Sequence, residues 1–545
     1  MRRILLMSSA AVLVCAAAAA DWPTYNNGYD SQRYSPLDQI NTANVGRLRR
    51  VCDLTLGENA SFQTGPLVIG NVMYLTTPHT TVAMDAATCK VLWRNVAPAV
   101  APKSKMAGQA AAILANRGVA YLDGRLFRGM PDGSLAAFNA KSGNILWQVP
   151  AGDPQKAEYI TSAPIAWHNM VFAGMAIGDF QTLRGRVRAW DAATGQLMWQ
   201  FHTIPMGNEP GAGTWIPPSS AQAGGGGQWT SYTLDTKRGE LFVAVGNPAP
   251  DFMPQVRNGM NLYTDSVVVL DAATGQLKWW FQATAHDAYD HDIGATPVLY
   301  TTRGGAARMA VGSKNGYVYG IDRTTHAPVF KTAVTTIFNE GAPVTTAGVC
   351  ICPGALGGVE WNGPAFDPQS HALVAGAVDR CMTYIVGGMG VQGQCLGPKS
   401  AGSSMSTGWV TALDADSGAV LCKLAPPARG GAGVTPTAGG LVFTDDLNGT
   451  LYAIDKKSGA AKLKLATGGP IAGGVITYSV GGRQYVATTS GNISRTFTPP
   501  PSPSPAPPSP PARIVVLALD VPKGGPRSVS LPLIGPPPPA PPPYP

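Results

Sequence analysis

Charge is scarce in this sequence. Asp, Glu, Lys and Arg make up 13% of its 545 residues, and the net charge of +8 comes without runs of lysine or arginine. A small, scattered basic excess argues against a nucleic-acid binder, which needs a concentrated basic face. Long apolar runs are missing after residue 20, so no later stretch has the length of a membrane-spanning helix. The absence of CxxC and CxxCH excludes a zinc ribbon and covalently attached c-type haem. Neither HExxH nor GxSxG occurs. A GxGxxG match at 388–393 opens no helical pattern, so it is not read as a dinucleotide site. Turn formers are abundant instead, with 65 glycines and 48 prolines, a composition that suits an all-β chain.

One eleven-residue pattern is written seven times: AMDAATCKVLW (83–93), AFNAKSGNILW (137–147), AWDAATGQLMW (189–199), VLDAATGQLKW (269–279), GIDRTTHAPVF (320–330), ALDADSGAVLC (412–422) and AIDKKSGAAKL (453–463). Each copy reads as strand, tight turn, strand. The Asp or Asn suits a side-chain-to-backbone hydrogen bond, and the Gly suits a positive φ. The Trp eight residues after the Asp is a plug between neighbouring modules. Hairpins of this kind bury their faces only against copies of themselves. The expected fold is an all-β, eight-bladed β-propeller of four-stranded antiparallel blades. Seven blades come from the repeats. The eighth is expected where the apolar run 512–520 returns to meet the start of the chain.

Residues 1–20 have a basic start, an apolar centre and a small-residue end, the pattern of a secretory leader. The propeller is expected over 21–520, with 498–512 as a proline-rich insertion loop and 521–545 as a proline-rich, disordered tail. Such a leader implies a secreted protein, or a periplasmic one in a bacterial host, with oxidised cysteines. Seven cysteines follow the leader. Cys52 with Cys89 is a plausible first-blade bridge. Cys350, Cys352, Cys381 and Cys395 can supply two more, with the pairing open. Cys422 stands at the Trp position of its repeat and is expected as a buried free thiol.

Three stretches carry candidate chemistry. HDAYDHD (286–292) packs Asp287, Asp290 and Asp292 with two histidines into seven positions. In extended backbone Asp290 and Asp292 point to one side, and two converging carboxylates call for a cation or a shared proton. GNPAPDF (246–252) offers the Asn247 side-chain carbonyl to a hard metal. QWTSYTLD (228–235) sets Trp229 after four glycines, where a flat ligand can come close.

Taken together, these residues resemble the pyrroloquinoline-quinone (PQQ) dependent alcohol dehydrogenases, eight-bladed quinoprotein propellers. The likeness runs over 21–497 and 512–520. It rests on the opening WPTYNNGYDSQRYSPLDQIN, the AxDAxTGxxxW repeats, and the ordered site segments. It implies an oxidoreductase that takes a small alcohol, uses PQQ with calcium or a lanthanide ion, and passes electrons to an external acceptor. By the same resemblance, Asp290 is the catalytic base and Lys314 contacts the quinone oxygens. Gln63, Arg117, Thr161, Trp229, Glu360 and Trp361 hold the cofactor, with Trp229 beneath its plane. Asp179, Asn247, Asp290 and Asp292 hold the metal, Asp292 being the additional acid typical of the lanthanide-using branch. Two departures stand out. Asp179 replaces the family's metal-binding Glu, and Ala111–Ala112 replace the vicinal cysteines that cover the quinone in many members. The rival reading is a secreted, non-catalytic propeller scaffold that has lost the cofactor.

Overall fold

The computed structural model describes residues 20–176, 178, 183–386, 391–395, 407–424, 433–492, 510–520 and 524–534. The seven repeats become seven outer hairpins of seven blades. In blade 1 the strands are Leu67–Ile69, Val72–Thr76, Thr80–Asp85 and Val91–Val96, hydrogen-bonded in that order. The same four-stranded meander recurs over 120–150, 165–202, 233–282, 298–333, 365–424 and 435–466, as blades 2 to 7. Blade 8 closes the ring. Strands Val475–Val480, Arg483–Ser490 and Arg513–Ala518 are joined by Arg49–Thr55 from the start of the chain. The two ends of the propeller are therefore zipped by antiparallel hydrogen bonds, which removes an open sheet edge.

The repeat chemistry is visible in every copy. The side-chain oxygen of Asp85, Asn139, Asp191, Asp271, Asp322, Asp414 and Asp455 accepts backbone N–H groups two and three residues on. The residue four positions after the Asp or Asn takes a positive φ. It is Gly in five copies, and Cys89 or His326 in the other two. One bulge follows at the same place in each hairpin, which adds the twist a blade needs. The plugs are in their seats. Trp93, Trp147 and Trp199 donate their indole N–H to Ala140, Ala192 and Ala272 of the next blade, at 2.9, 3.2 and 3.0 Å. Each indole lies against the turn glycine there, where a Cβ would collide with the ring.

Several expectations change. Cys422 is exposed, not buried. It lies on the outermost strand Val420–Leu424, beside Gly459 of the next blade, and a thiol is too small to fill the seat that an indole fills. Cys52–Cys89 forms, but it ties the closing strand of blade 8 to the turn of blade 1. The chain after residue 520 is not only tail. Arg527–Ser530 pairs in parallel with the closing strand and makes blade 8 five-stranded. Residues 535–545 lie outside the described residues, as does most of the 498–512 insertion. The connection holding that insertion joins two paired strands of blade 8. A small three-stranded sheet, Val349–Ile351, Met382–Tyr384 and Val391–Gln394, lies outside the blades. Bridges Cys350–Cys395 and Cys352–Cys381 staple it.

Candidate active site

Antiparallel pairing within a blade puts the entry to its first strand beside the exit of its second. Both ends therefore fall on one face of the ring. Gln63, Thr161, Trp229 and Trp361 each stand four residues before the first strand of blades 1, 3, 4 and 6. Arg117 stands three residues before that of blade 2. Asp290 and Asp292 lie in the segment entering blade 5. Asn247 and Lys314 follow the second strands of blades 4 and 5. The propeller thus delivers unlike residues from blades 1 to 6 to a common axis. Gln63, Arg117, Thr161, Trp229, Asn247, Asp290, Asp292, Lys314, Glu360 and Trp361 all line a single cavity. Asp179 lies outside the described residues, although Gly178 beside it lines the same cavity.

The floor is aromatic. Trp229 and Trp361 meet edge-on with centroids 6.3 Å apart, and the Arg117 guanidinium sits 4.9 and 5.2 Å from the two rings. Arg117 is fixed by hydrogen bonds to Thr161 Oγ1 at 3.2 Å and to the Trp229 carbonyl at 2.7 Å. Burial brings its pKa down to about 10, and it remains a cation. Behind the floor, Trp361 donates its indole N–H to the Ala472 carbonyl.

One wall carries the charges. Lys314 Nζ lies 2.8 Å from Asp290 Oδ2 and 3.3 Å from Asp292 Oδ2. Burial alone would lower the Lys314 pKa, but Asp290, Asp292 and Glu360 outweigh it and hold the pKa well above the usual lysine value. Asp292 also accepts the Trp229 indole N–H at 3.1 Å and the backbone N–H of Asn247. Gly246 is needed for this approach, since a Cβ there would lie 2.7 Å from Asp292 Oδ1. The Asn247 amide nitrogen donates to Asp251 and Pro248, which leaves its carbonyl oxygen as the open group. Asp290 holds a left-handed φ of 63°, uncommon for a residue with a Cβ and often seen at functional sites. Glu360 is pushed up to about 7, chiefly by burial, with Lys314 and Arg117 pulling the other way. Burial lowers the pKa of His291, between the two aspartates, against the pull of Asp287.

Among the described residues, the buried cavity atoms Gln63 Oε1, Arg117 Nε and Glu360 Oε1 find no hydrogen-bond partner. Leaving such atoms unpaired costs about 1–3 kcal/mol each. They are placed to be satisfied by a polar ligand. Among the described residues no three His, Cys, Asp or Glu side chains cluster as a metal site, so the oxygen donors at hand are two carboxylates and an amide.

Sequence reasoning missed the apolar part of the lining. Ile113, Ala115, Ala355 and Leu356 border the cavity, and nothing in their local pattern marks them. Ala111 and Ala112 end the helix Lys105–Ala112 with both side chains exposed, so Ile113 rather than either alanine closes that edge. Asp251, which holds the Asn247 amide, was also not singled out.

Residues 22–341 match the family model for the glucose/ethanol/alcohol dehydrogenase β-propeller domain that carries the PQQ name, and 406–498 match the outer membrane protein assembly factor BamB model. The dehydrogenase subunit of the quinone alcohol dehydrogenase of Gluconacetobacter polyoxogenes is 32% identical, over 86% of this chain and 71% of its own length. The lanthanide-dependent methanol dehydrogenase of Methylorubrum extorquens is 28% identical over 89% of both chains. The solved quinohemoprotein alcohol dehydrogenase ADHIIG of Pseudomonas putida superposes with a TM-score of 0.81 at 26% identity, over 95% of this chain and 82% of its own.

Proposed function

This chain belongs to the PQQ-dependent alcohol dehydrogenase family of β-propellers, and from that premise we propose that its axial cavity binds PQQ with a hard cation and oxidises a small alcohol. The observation that carries this reading is the convergence of an indole floor, a guanidinium and a Lys–Asp–Asp wall on one cavity, where buried atoms of Gln63, Arg117 and Glu360 have no partner among the described residues. A flat, polyanionic quinone fits that chemistry. Its rings match the Trp229 face, its carboxylates match Arg117 and Thr161, and its polar edge matches Gln63 and Glu360. Asn247, Asp290 and Asp292, with Asp179 as a further donor, supply hard oxygens suited to calcium or a lanthanide. A scaffold that had shed its cofactor would have no use for this set, and the relatives are enzymes.

When bound, PQQ supplies the two-electron acceptor and the cation polarises it as a Lewis acid. The chain's own residues do the rest. Asp290 takes the proton of the substrate hydroxyl at a carboxylate oxygen. Lys314 keeps a positive charge beside Asp290 and Asp292 and stabilises negative charge that develops in the cavity. Trp229 holds Asp292 in register through its indole N–H. Ile113 and Leu356 keep water from the apolar side. An alcohol leaves as its carbonyl compound with two protons and two electrons released. The electrons pass from the cofactor to an acceptor outside the cavity. No helix among the described residues is long and apolar enough to cross a membrane. The leader-like pattern of residues 1–20 supports a location outside the cell or in a periplasm.

The test is a titration of purified protein with PQQ, with and without calcium or lanthanum, followed by absorbance and dye-coupled alcohol oxidation. Saturable, metal-dependent binding with turnover is expected. Asp290→Asn should lower kcat by about 10²–10⁴-fold and leave PQQ affinity within a few-fold. A folded protein that binds PQQ with neither ion sinks the reading.

A further inference from the structure

A second chamber lies behind the wall that carries Asp290. It has a volume of about 610 Å³ and is lined by Ala283, Ala288, Ile337, Val344 and Ile351 among other small or apolar residues. That volume is in the range of roughly 300–1,000 Å³ that small-molecule sites occupy. The chamber shares a partition with the axial cavity, made of the segments 287–292 and 353–356. Asp290 and Asp292 line the axial cavity, whereas Tyr289 and His291, the alternate residues of the same stretch, line the chamber. His291 Nε2 donates to the Pro353 carbonyl at 3.2 Å and joins the two halves of the partition. The stapled three-stranded sheet supports the far side, since Ile351 and Cys352 border the chamber and Cys352 is bridged to Cys381.

The polar lining selects the occupant. Asp287 is already engaged, its carboxylate accepting the backbone N–H groups of Tyr289 and His291. Glu340 is engaged by the Tyr317 hydroxyl and by Lys331. No open charge remains among these groups to recruit an ion. The two imidazoles are different. A carbonyl only accepts, so His291 Nε2 and His286 Nδ1, facing Pro353 and Gly259 at 3.2 and 3.1 Å, must each carry the proton. In a neutral ring the other nitrogen, Nδ1 of His291 and Nε2 of His286, is then an acceptor, and neither has a hydrogen-bond partner among the described residues. The Gln255 and Asn258 amides also border the chamber and are uncharged. A largely apolar chamber with open imidazole acceptors fits an uncharged molecule that brings a hydroxyl group and a hydrocarbon body.

We propose that this chamber is a second binding site for a neutral alcohol, back to back with the catalytic cavity. The choice of an alcohol among hydroxyl compounds rests on the reading of the axial cavity as an alcohol dehydrogenase site. An occupant hydrogen-bonded to His291 touches the residue between Asp290 and Asp292, so the enzyme senses alcohol on both sides of its catalytic segment.

The probe is cumyl alcohol, a tertiary alcohol with no carbinol hydrogen, which the enzyme cannot oxidise. Cumene, the same body without the hydroxyl, is the control. Binding to the full chain is read by saturation-transfer NMR, without cofactor and again after loading with PQQ and calcium. Saturable binding of cumyl alcohol is expected, about tenfold tighter than cumene for one hydrogen bond, retained after loading and lost in Val344→Trp. Val344 is half-buried and borders the chamber, so the larger ring fills it. Should that variant not fold, Ile337→Trp fills the same space. Displacement by PQQ would assign the probe to the axial cavity and overturn the proposal. Equal binding of cumene, or unchanged binding in a folded filled variant, overturns it as well. PQQ absorbance in the same samples reports separately on the axial cavity, so failure of one reading is distinguishable from failure of the other.

Discussion

The rim and the centre of this propeller are built on opposite rules. At the rim, seven turns repeat one hydrogen-bond pattern and seven hairpins repeat one bulge. Every turn carboxylate or amide there has its partners. At the centre, the equivalent positions of blades 1, 3, 4 and 6 hold Gln63, Thr161, Trp229 and Trp361, so the residue changes where the backbone position repeats. Buried atoms of Gln63, Arg117 and Glu360 have no hydrogen-bond partner among the described residues. Repetition at the rim secures a ring, and the ring is what lets unlike residues from many blades meet on one axis. Polar atoms left unpaired at that axis cost folding free energy that ligand binding can return.

The largest test of that contrast is to strip the floor. Trp229 is half-buried and faces the cavity, so Trp229→Ala removes a stacking face and the support of Asp292 with little loss of core. PQQ affinity should fall by roughly 10²-fold, about 3 kcal/mol, in an absorbance titration. The melting temperature should stay close to that of the parent. A large drop in melting temperature with unchanged affinity would mean that Trp229 belongs to the structural rim's logic and not to the site.

How much of this was legible in the residues follows the same division. The repeat announced the blades, because a turn needs its Asp and its Gly in fixed places and a plug needs its Trp. The closing strand was legible because 512–520 has the apolar pattern of a blade strand. Asp290, Asp292, Asn247 and Trp229 stood in stretches with a chemical signal of their own, while the other site residues were legible only through resemblance. Nothing local in Thr161 or Gln63 marks a ligand contact, since their meaning comes from standing before a first strand in a closed ring. Ile113 and Leu356 were invisible for a related reason, because an apolar side chain lining a cavity has the same local pattern as one in a core. Cys422 misled because a position that is buried for an indole is exposed for a thiol. The strand Arg527–Ser530 was missed because its flanking prolines and glycines look like tail, while its pairing partner lies at the other end of the chain.

A pH experiment sharpens the contrast at the centre. Burial holds the Glu360 pKa at about 7, against an ordinary value of 4.5. The folded protein therefore binds a proton that the unfolded chain has lost between those values. The stability is fully present below pH 4.5, declines as pH rises through the window, and levels off above about 7. For cofactor-free protein the decline attributable to this group is about 3 kcal/mol. It is read as the difference between wild type and Glu360→Gln in denaturant midpoints across pH. Parallel curves for the two proteins would show that the carboxyl is not held in its acid form.

The smallest effect is expected at the rim, where redundancy is greatest. Asp271 Oδ1 accepts the backbone N–H groups of Ala273 and Thr274 and the Thr274 hydroxyl, all within 3.1 Å. The neighbouring blade rests on that turn, since Trp199 lies against Gly275 and donates to Ala272. Asp271→Ala should destabilise the protein by about 1–2 kcal/mol, seen as a lower denaturant midpoint. PQQ affinity and kcat should stay within about twofold, because one turn in seven is loosened and the axial residues of blades 4 and 5 are held by their own inner strands. Were this substitution to alter turnover as strongly as Trp229→Ala alters cofactor binding, the rim would be coupled to the centre. The closed ring would then act as one mechanical unit, and the separation of scaffold from site would fail.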